Sequence, residues 1–403
     1  MRVALVSREY PPHVYGGAGV HVQYLARELA RLTEVTVHCF GEQSDLQGRP
    51  RVAGHQPWTA ISQGPPTKYR AALETLSVDL EVVQALHDAE LVHTHTWYAA
   101  MAGYWAKILY GIPLVLTTHS LEPLRAWKAE QLGNGYRLSS WMERTAIEAA
   151  DAIVAVSNGT RADVLSAYPA VSPARVHVIH NGIDLDEFRK TEETGALVEF
   201  GLDLQRPYVL FVGRVTRQKG VTHLADAIRY LPVETQVVLC AGAPDTEEIA
   251  AELRAKVTAL QRTHPNVIWI ERMVNKPELI QLYSHAAVFC CPSVYEPFGI
   301  INLEAMACET AVVASATGGI REVVVEGETG YLVPFAADNV THMPLDSERF
   351  ARDLGEKLAR LLASPDLRRE MGRAGRRRAE AHFGWPAIAA QTFKLYRALT
   401  APA

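Results

Sequence analysis

Cysteine is scarce in this chain. Its five residues, Cys39, Cys240, Cys290, Cys291 and Cys308, include no C-x-x-C pair. The number is odd and most of them stand in apolar strand-like or helical runs. That pattern argues against a disulfide framework and fits buried, reduced thiols, so a cytoplasmic protein is expected. Long hydrophobic runs are missing as well. No segment reaches the ~18 apolar residues of a membrane span. The apolar start Val3–Val6 is cut short by Arg8 and Glu9, so no signal peptide is expected. Positive charge is not in excess. The formal net charge is −5, which gives no general drive toward nucleic acid or an anionic membrane. The one basic stretch, Arg368 to Arg378, holds six arginines. It is interleaved with Glu370 and Glu380 and reads as a solvated helix face. Fixed-period repeats and low-complexity tracts are absent too.

What is present is a repeated alternation of β-rich runs and helical stretches over 403 residues, enough for two cores. Strands are expected at Val3–Ser7, Val35–Phe40, Leu91–His95, Leu114–Thr118, Ile153–Val156 and Val176–Ile179, with helices such as Gly19–Leu32 and Ser139–Ala150 between some of them. The polar stretch Asp186–Gln205 reads as a linker. The pattern restarts with strands at Tyr208–Val212, Val237–Cys240, Val267–Ile270, Val288–Cys291 and Val312–Ser315. The fold class is therefore α/β, with two doubly wound parallel sheets. The expected domains are 1–190 and 207–384, with an amphipathic last helix, 385–403, after Gly384. Ligands in such folds bind outside the carboxyl ends of the strands, so two such domains would face a cleft lined by post-strand loops.

Those loops carry the chemistry. Glu296-Pro297-Phe298-Gly299-Ile300-Ile301-Asn302-Leu303-Glu304 places two carboxylates across a strand-to-helix turn. The free amides of a helix start suit an anion, and a carboxylate beside them can accept hydrogen bonds from a sugar diol. Alternatively Glu304 is a helix-dipole partner and Glu296 a solvated loop residue. Gly213-Arg214-Val215-Thr216-Arg217-Gln218-Lys219-Gly220 offers a guanidinium fork and a point charge for a diphosphate, or a surface basic loop; its order is not that of a P-loop. Arg8-Glu9-Tyr10-Pro11-Pro12 runs into Gly16, Gly17 and Gly19 before a helix, a phosphate cradle or a tight turn. The spacing departs from G-x-G-x-x-G and no acidic ribose partner follows, which disfavours a nicotinamide site. Gly318-Gly319 follows another strand. His93 and His95 share a strand face and His119 ends the next strand, but no H-E-x-x-H and no cysteine supports a metal there. Asp184-Leu185-Asp186 reads as a turn rather than a metal holder.

Together these segments resemble the retaining GT-B glycosyltransferases of the glycogen-synthase and sucrose-synthase type, over nearly the whole chain. The resemblance rests on Glu9-Tyr10-Pro11-Pro12 with its glycines, His119, Gly213-Arg214 with Lys219-Gly220, the Glu296/Glu304 pair and Gly318-Gly319. It implies two Rossmann-like domains around a cleft, with the last helix crossing back to the first. It implies Glu304 on the donor ribose, Glu296 and His119 beside the donor hexose, and Arg214 and Lys219 on the departing diphosphate. Backbone amides of Gly17, Phe298, Gly299, Ile300 and Gly319 would complete the donor site. Thr118–Lys128 and Tyr15–Gly19 are similar to the actinobacterial branch that makes maltose 1-phosphate. Val14-Tyr15 stand where the larger glycogen synthases carry a loop lysine. The implied acceptor residues are Glu9, Tyr10, Arg125, Lys128 and Arg137, the last three a basic cluster for a phosphate, or a helix face paired with Glu122 and Glu130.

The activity so implied is a retaining α-1,4-glucosyltransferase, moving glucose from ADP-glucose to glucose 1-phosphate. Direct glycogen elongation is the alternative within the class, with Trp127 as a candidate platform for a glucan. A glycosidase would also use two carboxylates, but it would leave the basic glycine-rich loops without a task. A non-catalytic nucleotide-sugar sensor is the alternative outside catalysis. No cofactor and no metal is expected. Nucleic acid and membrane are not expected partners, and a homo-oligomer is compatible with the sequence.

Overall fold

The computed structural model describes residues 1–14, 16–43, 48–65, 67, 69–125, 134–339 and 341–401. The chain divides into two compact units. Unit 1 comprises Met1–Gly182 and Trp385–Ala403, and unit 2 comprises Ile183–Gly384. The first crossing thus falls after Gly182, not after residue 190. The stretch Asp186–Gln205, expected as a linker, belongs to unit 2 and contains a short helix, Gly195–Glu199.

Unit 1 is built on strands β1 (Arg2–Ser7), β2 (Glu34–Phe40), β3 (Arg51–His55), β4 (Leu91–His95), β5 (Leu114–Thr118), β6 (Ala152–Ala155) and β7 (Val176–Val178). They pair in parallel in the order β3-β2-β1-β4-β5-β6-β7. Unit 2 is built on β8 (Tyr208–Arg214), β9 (Gln236–Gly242), β10 (Val267–Ile270), β11 (Val288–Cys291), β12 (Val312–Ser315) and β13 (Gly330–Val333), parallel in the order β10-β9-β8-β11-β12-β13. Both are doubly wound sheets whose order reverses between two central strands, β1/β4 and β8/β11.

Both faces of the central strands are covered, and β1, β8 and β11 accordingly carry unbroken apolar runs. In β1, Val3 and Leu5 point to one face, where they meet the helix Gly17–Leu29 and the final helix Trp385–Thr400. Ala4 and Val6 point to the other, toward the helices Arg70–Ala85, Ala100–Tyr110 and Gly135–Ala149. The two strands that the sequence reading lacks, β3 and β13, are edge strands. β3 has no fully buried residue and contains Gly54; β13 is four residues that open on Gly330. Neither presents the long apolar run by which a central strand is recognised.

The arginine-rich stretch lies in the helix Pro365–His382, and it is not simply a solvated face. Arg368 Nη1 donates to the carbonyls of Leu361 and Leu362, Arg376 to those of Leu185, Phe188 and Ala307, and Arg378 to those of Glu322 and Val323. Several of these carbonyls end neighbouring helices, where unsatisfied acceptors and the dipole both favour a cation.

Candidate active site

In unit 2 the expected donor residues do converge. The loops after β8, β11 and β12 stand side by side at the carboxyl edge of the sheet, flanking the β8/β11 reversal. Lys219, in the turn after β8, donates from Nζ to Glu296 Oε2 at 2.7 Å, and Ser293 Oγ donates to the same oxygen at 3.2 Å. Glu296 is 7% exposed, so this ion pair is held in place. Arg214 ends β8 and its Nη1 lies 2.9 Å from Asp245 Oδ1. Gln218 ties the two loops together: its Nε2 donates to the Tyr295 carbonyl and its own carbonyl accepts from Val294 N.

The Glu296 loop is shaped by glycine. Gly318 has φ +47°, and a Cβ there would sit 2.0 Å from the Glu296 carbonyl oxygen. Gly319 was expected to offer its amide to the ligand. That N–H instead donates to the Glu296 carbonyl at 3.0 Å, so Gly319 supports the loop from beneath. Gly299 is the N-cap of the helix Ile300–Ala307, and the first-turn amides of this helix point out of its N-terminus. Phe298 is buried and packs edge-on to Phe383.

Glu304 lies on the second turn of that helix. Tyr283 Oη donates to its Oε2 at 2.9 Å. Burial pushes the Glu304 carboxyl up to about 7; the Tyr283 hydroxyl and the charges of Lys276 and Lys219 act in the opposite direction. The second candidate metal pair is a turn: Asp184 Oδ1 accepts from the amides of Asp186 and Glu187, both at 3.0 Å.

Unit 1 places its expected residues less uniformly. Gly17 opens the helix Gly17–Leu29. Glu9 was expected near an acceptor; its Oε2 accepts from Gly16 N at 2.7 Å, so it holds the glycine loop. Tyr10 was expected there too, but it is 9% exposed and packs in the core with Val3, Leu5 and Val37. Burial, then Cys39, pushes its hydroxyl up to about 12. In both cases other parts of unit 1 take polar or apolar atoms that the motif left unassigned. His119 follows β5, and its Nε2 is 3.1 Å from His95 Nδ1. Arg125 donates from Nη1 to Ser120 Oγ at 3.1 Å and stands 3.9 Å from Glu122 Oε1. Its Nε is buried without a hydrogen-bond partner among the described residues. Arg137 is exposed at the start of the helix Gly135–Ala149. Tyr15, Trp127, Lys128 and Glu130 lie outside the described residues.

Sequence reading named Glu122 as a partner of the basic cluster but missed the layer behind it, Ser139, Glu143 and Tyr168. Glu122 is 1% exposed, and its Oε2 accepts from Ser139 Oγ at 2.7 Å. Its amide donates to Glu143 Oε1, which also accepts from Tyr168 Oη. Burial, then the charge of Glu122, raises the Glu143 carboxyl to about 8. Asp245, Tyr283 and His21 were missed as well. None sits in a local motif that could have marked it.

Two family models match in succession: "Glycosyltransferase Family 4" over residues 15–187 and "Glycosyl transferases group 1" over 197–378. The chain belongs to the GT-B glycosyltransferases. As such it is a nucleotide-sugar-dependent glycosyltransferase with the GT-B fold. It is 51% identical to the alpha-maltose-1-phosphate synthase of Mycolicibacterium smegmatis, with all of both chains covered. The enzyme of that name from Mycobacterium tuberculosis is 49% identical over the same full span. Among solved structures, a sucrose-phosphate synthase from Thermosynechococcus elongatus superposes with a TM-score of 0.78 at 27% identity, covering 100% of both chains. No helix among the described residues is long and apolar enough to cross a membrane.

Proposed function

We propose that this glycosyltransferase moves glucose from ADP-glucose to glucose 1-phosphate with retention at the anomeric carbon, giving α-maltose 1-phosphate and ADP. The bond from C1 to the diphosphate breaks, and a hydroxyl oxygen of the acceptor takes C1. The proton of that hydroxyl leaves with ADP. Charge grows on the departing diphosphate, and Arg214, Lys219 and the helix amides at Gly299 and Ile300 are preorganised to offset it. A metal ion is not needed for that task. Glu304 accepts from the donor ribose, and His119 stands beside the donor hexose. Five buried, unpaired thiols fit a reducing cytoplasm for this enzyme.

The observation that carries the choice of acceptor is Arg125. It lies six residues past His119, it is only 16% exposed, and its buried Nε has no partner among the described residues. A guanidinium with donor capacity to spare suits a phosphate. A neutral glucan end would gain little from it. The full-length likeness to alpha-maltose-1-phosphate synthases supports the same reading.

The test is ADP release from ADP-glucose with no acceptor, with glycogen and with glucose 1-phosphate. Glucose 1-phosphate is expected to support turnover far better than glycogen. Arg125→Ala is expected to lower kcat/KM for glucose 1-phosphate much more than for glycogen. An unchanged ratio of the two specificity constants in that variant would remove the phosphate-acceptor assignment and favour glycogen elongation. Turnover without any acceptor would point to hydrolysis, and nucleotide-sugar binding without ADP release to a sensor.

A further inference from the structure

Unit 1 gathers three imidazoles that the sequence holds far apart. His21 lies on the helix Gly17–Leu29, His95 ends β4 and His119 follows β5. One ring nitrogen of each lies within 4.8 Å of the other two. His95 Nδ1 and His119 Nε2 are 3.1 Å apart. Two ring nitrogens come so close either by sharing a proton or by sharing a metal ion: ligands ~2.0–2.1 Å from a tetrahedral zinc stand ~3.4 Å from each other.

Two further observations favour a ligand over a plain hydrogen bond. His21 Nδ1 is 2.7 Å from Asn181 Oδ1, an oxygen that can only accept. Nδ1 therefore carries the proton and Nε2 the lone pair. This is the arrangement in which a metal-bound histidine donates its other N–H to an outer carbonyl. His21 Nε2 is also buried with no hydrogen-bond partner among the described residues, and His21 and His95 are 2% and 0% exposed. His93 is excluded from the group. Its two nitrogens are taken by Tyr396 Oη at 2.5 Å and Thr117 Oγ1 at 2.7 Å. Burial holds His21 down at about 4, and burial with mutual repulsion holds His95 and His119 well below the ordinary imidazole range. All three rings are thus neutral at neutral pH, the form that binds a metal.

We propose that His21, His95 and His119 form a site for one divalent ion of the zinc class, with a fourth position left to water or an anion. Three imidazoles without a carboxylate suit zinc, copper or nickel and not the hard, oxygen-seeking magnesium or calcium. The ion would engage His119, so zinc is expected to inhibit sugar transfer and a chelator to restore it. The binding itself does not rest on the transfer reading, because it is measured without turnover.

Metal-stripped full-length protein is titrated with zinc by calorimetry, and the zinc-loaded parent is examined by X-ray absorption. One ion per chain with three imidazoles in its shell is expected. His21→Gln is expected to leave two imidazoles and to weaken zinc by about tenfold or more, and Asn181→Ala by about tenfold through the outer shell. Fewer than three imidazoles on zinc in the parent, or no saturable binding at equimolar zinc, would overturn the site. Unchanged zinc affinity in a folded His21→Gln variant would do the same. The count of imidazoles in the parent decides the matter even where His21→Gln fails to fold.

Discussion

A carboxylate accepts from a sugar diol far better ionised than protonated, and Glu304 sits at the edge of that condition. Desolvation on the second turn of the helix Ile300–Ala307 raises it to about 7, with Tyr283 as its hydrogen-bond donor. Below that pH the group holds a proton and loses acceptor capacity. Donor affinity is therefore expected to rise with pH, by about tenfold between one unit below and well above the transition. Calorimetric binding of the nucleotide sugar across that range, without acceptor, checks it. Glu304→Gln is expected to bind weakly with a flat profile; a flat profile in the parent would remove Glu304 from the ribose. Lys219 makes a different contribution. Its charge is held by Glu296 at 2.7 Å before any ligand arrives. Lys219→Ala is expected to lower kcat by ~10²-fold with a smaller change in donor affinity, because its contact strengthens as the diphosphate leaves. Equal losses in binding and turnover would assign it to ground-state binding alone. Glu296 and Lys219 were legible because each lies in the loop just past a strand end, and Glu304 because it stands in the helix that follows the Glu296 loop. Asp245 and Tyr283 were not: each is remote in sequence from its partner, Arg214 or Glu304, and Asp245, though it follows β9, stands in no motif that marks it.

Elements were legible in proportion to how fully they are buried. β5, β9 and β11 are buried along their whole length and carry the apolar runs that identify them. The edge strands β3 and β13 lack such runs. The stretch 186–205 is polar, yet Gln281 Oε1 accepts from Ala196 N and Ser284 Oγ from Thr191 N, so tertiary partners bind to unit 2 what composition marked as a linker. The charged helix Pro365–His382 misled in the same way, because the carbonyls its arginines cap are not visible in a local window. Burial also has a consequence for acid stability in the elements of unit 1. Desolvation holds His21 on the first helix at about 4 and His93 on β4 at about 3, both below the ordinary value of ~6.5. The unfolded chain therefore binds more protons. The stabilisation is complete above ~6.5 and is lost as pH falls toward the folded values, at about 2 kcal/mol per histidine near pH 5. Denaturant melts between neutral pH and pH 5 are expected to show this fall. His93→Gln is expected to reduce the slope; a slope unchanged in that variant would trace the acid loss to other groups.

At the scale of the whole molecule, the two units differ in how the chain builds them. Unit 2 is one continuous segment, Ile183–Gly384, with its own core around Val209, Phe211, Val237, Leu239 and Phe350. Unit 1 is completed only when the chain returns at Trp385. The returning helix is integral to it: Trp385 is 1% exposed, stacks on Tyr24 at 5.8 Å and fills the space beside Gly182, where a Cβ would lie 2.6 Å from its ring. Ile388 and Ala389 join the same core, and Tyr396 reaches the buried His93. Removing a buried tryptophan alone costs about 3–5 kcal/mol, a large part of the ~5–15 kcal/mol by which domains are stable. A fragment spanning 183–384 is therefore expected to fold and to bind ADP, since Arg214, Lys219, Glu296 and Glu304 all lie within it. A fragment spanning 1–182 is expected to stay unfolded or aggregate, and to gain a cooperative melt when 385–403 is fused or supplied in trans. Calorimetry of the three preparations decides the point. A cooperative melt of 1–182 alone, at the temperature it shows with the helix present, would mean that the return of the chain adds little to unit 1. In that case the burial of Trp385 and Tyr396 would serve to tether the chain's end and not to hold the first sheet together.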